Sequence, residues 1–465
     1  MSSPLNPLIP TNPASGVQLA PVARTPLTQI PSIVAQSQAA SRAWALQTLE
    51  QRIQALDGFA SSLRDPAVAE PLAVQITTEM GKTLREARGE VKNVGARLKA
   101  FGERTRIAMV ETVGCERGIE VTTRWRPLGV VAVIAPWNYP VATPSNLLLS
   151  ALLTGNGVVL KPSEQTPRTG AILHDLLAAA LPPGLVGIVQ GGAAEGAALV
   201  ESDVQMIAMT GSIATGKAIM RSAAGGLKRL VLELGGKDSM IVLPGADLEA
   251  AAGHAALQAT ANAGQACISV ERIIVHRSLA DRFLDRVRAR VAEISVGDPL
   301  DESTTIGPMA SEAQRALVLA QLADAKAKGA RLLVEGAARS PGFYLEPTVI
   351  TDLNRDMSLV REETFGPVVA VEVCASAEEA ISWVNDSHYG LGASIWGQPG
   401  AELEALARRL EVGMIGINRG LSAAAGGPWV GWKSSGFGFS RSVAGMRQFM
   451  QPQSLARSLV VSGRA

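Results

Sequence analysis

Cysteine is scarce in this chain of 465 residues: there are three, Cys115, Cys267 and Cys374, an odd number spread widely. Such a set builds no disulfide framework and fits a reducing, cytoplasmic setting. Histidine is as sparse, with four residues at no ligand spacing to one another or to the cysteines, so no metal centre is expected. A charge of one sign is missing too. Lys+Arg number 43 and Asp+Glu 42, which leaves no global field to draw in a polyanion or an anionic membrane. Nucleic acid is therefore not an expected partner, and the cluster Arg286, Arg288 and Arg290, with Asp281 and Asp285 close by, reads as a solvated helix face. The longest apolar stretch, AILHDLLAAALPPGLVGIV, contains His174, Asp175 and a proline pair and makes a poor bilayer span. The first residues, MSSPLNPLIPTNPASG, offer no basic residue before Arg24 and are broken by prolines, so no secretory segment is expected.

What the sequence does contain is an alternation of helical patterns with short apolar runs. Leu49, Ile53, Leu56, Ala60 and Leu63 recur at helical spacing, and a second long helical pattern covers about residues 67 to 105. GIEVTTRWRP then alternates with period two. GVVAVIAPW, GNGVVLKPS, GLVGIVQG, VQMIAMTGS and LKRLVLELGG read as buried parallel strands separated by helices such as RTGAILHDLLAAAL and TGKAIMRSAA. This half predicts a doubly wound α/β fold. From about Gly236 the alternation repeats, with Val270 to His276 as a strand and a helix at AELEALARRL closed by Gly413.

In such sheets ligands gather at the carboxyl ends of strands, where the polar motifs fall. Asn138 follows one strand in APWNYP, as a turn residue or as a donor to an oxyanion. Lys161 and Glu164 follow another in KPSEQTP. Glu164 is either a helix-start acid or a carboxylate for the hydroxyls of an adenosine ribose, and it would repel a 2′-phosphate. Gly211 and Ser212 in MTGSIATG open a helix, forming a tight turn or a phosphate site. Glu233 in LELGGKD caps backbone amides or acts as a general base whose pKa rises in apolar surroundings. Cys267 in ANAGQAC is a small buried hydrophobe or a nucleophile.

Taken in order, PWNYP, KPSEQTP, MTGS, ELGGK, NAGQAC and EETFGPV resemble the NAD(P)-dependent aldehyde dehydrogenase superfamily, from TNPASG near residue 11 to KSSGFG near residue 433. The resemblance implies a Rossmann-type cofactor domain (1–108 and 128–235), an α/β catalytic domain (236–435), and a small β oligomerisation element of a hairpin (109–127) with a C-terminal tail (436–465). A homodimer or homotetramer follows, with ARSLVVSG offering a strand to a neighbouring subunit. The implied reaction oxidises a small-molecule aldehyde to the acid. Cys267 is then the nucleophile, Asn138 and the Cys267 N–H the oxyanion donors, and Glu233 the base that activates water. Retention of Glu233 speaks against a CoA-acylating relative. Retention of Cys267, Glu233 and Asn138 together speaks against a non-catalytic binding protein that has kept the fold. The implied cofactor contacts are Trp137, Lys161, Glu164, Gly211, Ser212, Glu363 and Phe365, with NAD preferred and NADP also accommodated. Tyr139, Thr143, Asn146 and Ile268 are candidates for a mainly apolar substrate tunnel suited to a medium-chain aliphatic or aromatic aldehyde, and Arg419 is the one basic residue nearby to anchor a substrate carboxylate. The segment GPWVGWKSSGFGFSRS departs from the usual P-F-G-G-x-K-x-S-G-x-G-R-E pattern, with Trp429, Val430 and Trp432 early and Phe439-Ser440 where Arg-Glu is common.

Overall fold

The computed structural model describes residues 6–421 and 426–459. The five apolar runs of the first half form the parallel strands Val130–Ile134, Gly157–Lys161, Val186–Ile188, Met206–Thr210 and Arg229–Glu233. Across the sheet, Val186–Ile188 lies at one edge, followed by Gly157–Lys161, Val130–Ile134, Met206–Thr210 and Arg229–Glu233. The short antiparallel strand Gly436–Phe437 pairs beyond Arg229–Glu233. Chain order therefore reverses between Val130–Ile134 and Met206–Thr210, and a crevice opens outside the carboxyl ends of such a pair.

Both faces of this sheet are covered, which is why its strands read as continuous apolar runs. Val131 and Val133 pack with Leu56, Ile76, Val94 and Leu148 on one face. Val130, Ala132 and Ile134 pack with Ile30, Val34, Leu199 and Ile219 on the other. The strand period of two assigns alternate residues to the two cores, and each fully buried side chain of this size stabilises the fold by roughly 1.5–3 kcal/mol.

The helical pattern of residues 67 to 105 is two helices, Pro66–Met80 and Leu84–Ala108. Gly81, at φ 90, ends the first in the left-handed conformation, and Thr83 starts the second with a capping box to Glu86. The helix at AELEALARRL runs only from Ala401 to Ala407 and ends on Arg408, so Gly413 closes nothing there.

A second sheet has seven strands, in the spatial order Arg331–Val334, Thr348–Thr351, Val368–Cys374, Val270–His276, Asp238–Val242, Gly392–Trp396 and Met414–Ile417. All neighbours are parallel except the first pair. Thr112–Glu116, Ile119–Pro127 and Met450–Ser458 form a third, antiparallel sheet. In ARSLVVSG, Ala456 to Ser458 pair with Glu120 to Val121 and Ile119 of the same chain, and Val460 to Gly463 lie outside the described residues. Among the described residues no helix is long and apolar enough to cross a membrane.

Candidate functional site

A cleft of about 700 Å³ lies at the chain reversal of the first sheet. Its walls include Trp137, Asn138, Lys161, Glu164, Gly211, Ser212, Cys267, Glu363 and Phe365, so nine of the candidate residues meet there. Ser212 caps the helix Ile213–Ala224 by accepting from Thr215 N at 3.2 Å, and the start of that helix lines the cleft at Ser212, Ala214 and Thr215. Lys161 is buried, donates to the carbonyl of Pro162 at 3.1 Å and lies 3.8 Å from the exposed Glu164 carboxylate. A side chain on Gly196 would reach 3.4 Å from Lys161 Cε, so the bare backbone keeps this part of the cleft open.

The loop that carries Cys267 has an unusual backbone. Asn262 and Ala263, both at φ 53, and Gly264, at φ 73, take left-handed conformations in succession. A Cβ on Gly264 would stand 2.1 Å from the carbonyl oxygen of Gly366, so only glycine fits. Glu86 accepts from Asn262 N at 2.7 Å, and Gln265 Oε1 accepts from Ala310 N at 2.8 Å. These contacts hold the loop from two sides. Asn138 Nδ2 donates to the carbonyl of Gln265 at 3.0 Å, while its Oδ1 accepts from Tyr139 N at 3.0 Å, which fixes the amide and leaves a second N–H on Nδ2. The Cys267 N–H makes no backbone hydrogen bond among the described residues.

Charge in this region is mostly negative and buried. The Cys267 thiol is pushed up to about 12 by burial and by Asp238, Glu233 and Glu363, against the opposing pull of Arg441. Glu233 is buried and held above the usual carboxylate range, with Arg441, the Ser440 hydroxyl at 2.5 Å and the Thr210 hydroxyl at 3.2 Å opposing that rise. Glu363 is pushed up to about 8 by burial and by Glu271, while the N–H of Gly236 donates to it at 2.8 Å. The paired glycines of ELGGK have a steric reason: a Cβ on Gly235 would meet the Glu363 carboxylate at 2.5 Å, and one on Gly236 would meet the Cys267 carbonyl at 2.7 Å.

This arrangement sits within a sequence match that runs almost end to end. Residues 4–455 match the profile described as the Aldehyde dehydrogenase family. The chain belongs to that family. It is 36% identical to a betaine aldehyde dehydrogenase of Cereibacter sphaeroides, over 95% of this chain and 92% of the relative. It is 35% identical to a succinate-semialdehyde dehydrogenase [NADP(+)] of Deinococcus radiodurans, over 98% of this chain and 95% of the relative. The crystal structure of an aldehyde dehydrogenase from Brucella melitensis biovar abortus superposes with a TM-score of 0.93 at 33% identity, covering 97% of this chain and 94% of that one. The protein is thus an NAD(P)-dependent oxidoreductase acting on aldehydes, with the aldehyde dehydrogenase fold.

Within this aldehyde dehydrogenase the remaining candidates do not line the cleft. Glu233 lies one residue before its wall at Leu234. Tyr139 and Thr143 are half-buried and Asn146 is buried on or just before the helix Ala142–Leu153. Ile268 packs with Cys267 against Leu391, Met414 and Trp429. Arg419 is exposed, so it does not anchor a buried ligand group.

Several contacts were not singled out from sequence. Lys237 Nζ donates to Glu271 at 2.8 Å and to Thr364 at 2.8 Å, and Glu271 in turn accepts from the N–H groups of Thr364 and Phe365. This buried network holds the Glu363–Phe365 loop, where Phe365, at φ 52, meets Trp137 edge to face with centroids 5.5 Å apart. The sequence signal for it was a pair of charged residues, Lys237-Asp238 and Glu271-Arg272, at the start of each of two otherwise apolar strands. Ser440 and Arg441 fall in the segment whose departure from the usual pattern was visible, but their contacts were not.

Proposed function

We propose that this enzyme oxidises its aldehyde to the carboxylic acid through a thiohemiacetal and then a thioester on Cys267, the thioester being cleaved by water. The observation that carries this reading is the meeting of Cys267, Asn138 and Glu363 on one cleft, with Glu233 buried beside its wall. With the thiol pushed up to about 12, its proton passes to solvent water as sulfur bonds to the carbonyl carbon. The second N–H of Asn138 Nδ2 and the N–H of Cys267 donate to the oxygen that becomes negative. Loss of one such donor costs roughly 100- to 1,000-fold in rate.

The residues present fit a dinucleotide: a crevice at the strand reversal, a capped helix start at Ser212, and the acids Glu164 and Glu363 at separate positions along one cleft. In this reading Lys161 and Glu164 hold the adenosine ribose, Gly211 and Ser212 border the pyrophosphate, and Glu363 holds the nicotinamide ribose with Phe365 and Trp137 packed beside it. When bound, the oxidised nicotinamide supplies the acceptor for the hydride that leaves the substrate carbon. Glu164 favours NAD and disfavours, without excluding, a 2′-phosphate. Glu233 takes a proton from the water that attacks the thioester. The acid departs and the thiol is restored.

The third sheet supports assembly into a homodimer or homotetramer. Its outer strands are exposed, and Val113, Ile119 and Leu455 are uncovered apolar residues on it.

The test is reduced-cofactor formation over a panel of aldehydes with NAD or NADP, with and without CoA. Turnover without CoA is expected. Turnover only with CoA would remove the role given to Glu233.

A further inference from the structure

Three arginines that do not line the cofactor cleft, Arg97, Arg104 and Arg441, lie near one another, and among the described residues they bond to an amide, main-chain oxygens and an aromatic ring rather than forming ion pairs. Arg441, at φ 67, follows the strand pairing of Trp429–Val430 with Phe439–Ser440. Its guanidinium stacks on Trp429, 4.0 Å from the ring centroid, and Trp429 belongs to the apolar cluster on which Cys267 and Ile268 pack. Arg104 donates to the main-chain oxygen of Arg441 at 2.8 Å. Arg97, two turns earlier on the same helix face, donates to Asn146 Oδ1 at 2.8 Å and to the Ala142 carbonyl at 3.3 Å. Burial and the nearby Arg441 charge bring Arg97 down to about 10, against the pull of Glu90.

The carboxylates in reach are already engaged. Glu90 is held by Lys82 and by the N–H groups of Val141 and Ala142. The surface ion pairs of this helix use Arg88 and Arg106 instead. Two buried donors here have no acceptor among the described residues: Arg441 Nε and Asn146 Nδ2. The Asn146 amide is oriented by Arg97, which takes its oxygen, so only its donor end is free. Buried donors left unpaired are costly, and a ligand made only of acceptors satisfies them.

We propose that Arg441, Arg97 and Asn146 form the anion-recognising end of the substrate site, so that the aldehyde this enzyme oxidises carries a carboxylate: a short ω-oxocarboxylic acid. The inference rests on the oxidation chemistry proposed above and replaces the expectation of a mainly apolar tunnel. Glu233 lies in the same field as Arg441, so a single negative charge is accommodated better than the double charge of a phosphate. A cationic aldehyde meets repulsion from all three arginines.

The experiment compares kcat/KM for a short linear ω-oxocarboxylic acid, its methyl ester, and a phosphate-terminated aldehyde of similar length. The wild-type enzyme is expected to favour the acid over the ester by on the order of 100-fold, the scale of a buried hydrogen-bonded charge pair. Arg441→Met and Arg97→Met are expected to bring that ratio toward unity. Because either variant could fail to fold, inhibition of the wild type is measured as well. A linear dicarboxylate should compete with the aldehyde while a monocarboxylate of equal length does not. Equal use of acid and ester, a preference for the phosphate, or an equal loss for acid and ester in Arg441→Met would each overturn the proposal. The last outcome would make Arg441 a positioning residue for Cys267 and Glu233. Failure to reduce cofactor with any aldehyde would instead remove the oxidation chemistry itself.

Discussion

The hydroxyl of Ser440 donates to Glu233 Oε1 at 2.5 Å, joining two residues 207 positions apart in sequence. The bond favours the ionised form of a carboxylate whose pKa burial raises. Ser440 therefore bears on the pH at which Glu233 becomes a usable base.

Replacing Ser440 with Ala should raise the Glu233 pKa further, because one of the contacts opposing its rise is lost. The acidic limb of kcat against pH is then expected to move to higher pH, and a limb that stayed or moved lower would refute the assignment. Glu233→Gln is expected to give a burst of reduced cofactor followed by little turnover, read by rapid mixing. A carboxyl whose folded pKa lies above its unfolded value loses stability as pH rises from the unfolded toward the folded pKa. The same Gln variant should therefore unfold at a higher temperature than the wild type above neutral pH.

Cys267 is expected to react slowly with iodoacetamide in the free enzyme. Its thiolate fraction, and so its alkylation rate, should climb about tenfold per pH unit until the pH approaches the thiol's value near 12. Peptide mass spectrometry separates it from the exposed Cys115. A rate already at its plateau at neutral pH would contradict the electrostatics described.

Lys237→Met should leave Glu271 buried without its cation and cost roughly 3–5 kcal/mol in denaturant unfolding. Since Glu271 also holds the N–H groups of Thr364 and Phe365, the KM for the nicotinamide cofactor should rise in the surviving protein. Unchanged stability and KM would show that the network does not hold the loop.

Glu164→Gln removes a negative charge from the cleft. The ratio of kcat/KM for NADP to that for NAD should increase, on the order of tenfold for a partly solvated contact. A ratio that did not move would take Glu164 away from the ribose.

Much of this protein was legible along the chain because its motifs are local. The runs ending at Ile134, Lys161, Thr210 and Glu233 are buried on both faces, so they appear as unbroken apolar strings with their polar residues at the carboxyl ends. That pattern located Asn138, Lys161, Glu164, Gly211 and Ser212, and the ordered motifs added Cys267, Glu363 and Phe365. The break at Gly81 was missed because the helical spacing of apolar residues, Ile76, Met80, Leu84, Ala87 and Val91, runs straight across it.

Sequence alone determined the family, the strand runs and nine of the residues on the cleft, since each is written in neighbouring positions. Only the tertiary structure decided which distant groups share a dielectric and which donors lack acceptors. Arg104 reaches the main chain of Arg441 across 337 positions, and Lys237 meets Glu271 across 34. Burial and hydrogen-bond satisfaction are properties of surroundings assembled from remote segments, so the unpaired arginines beside Cys267 exist only once the chain has folded.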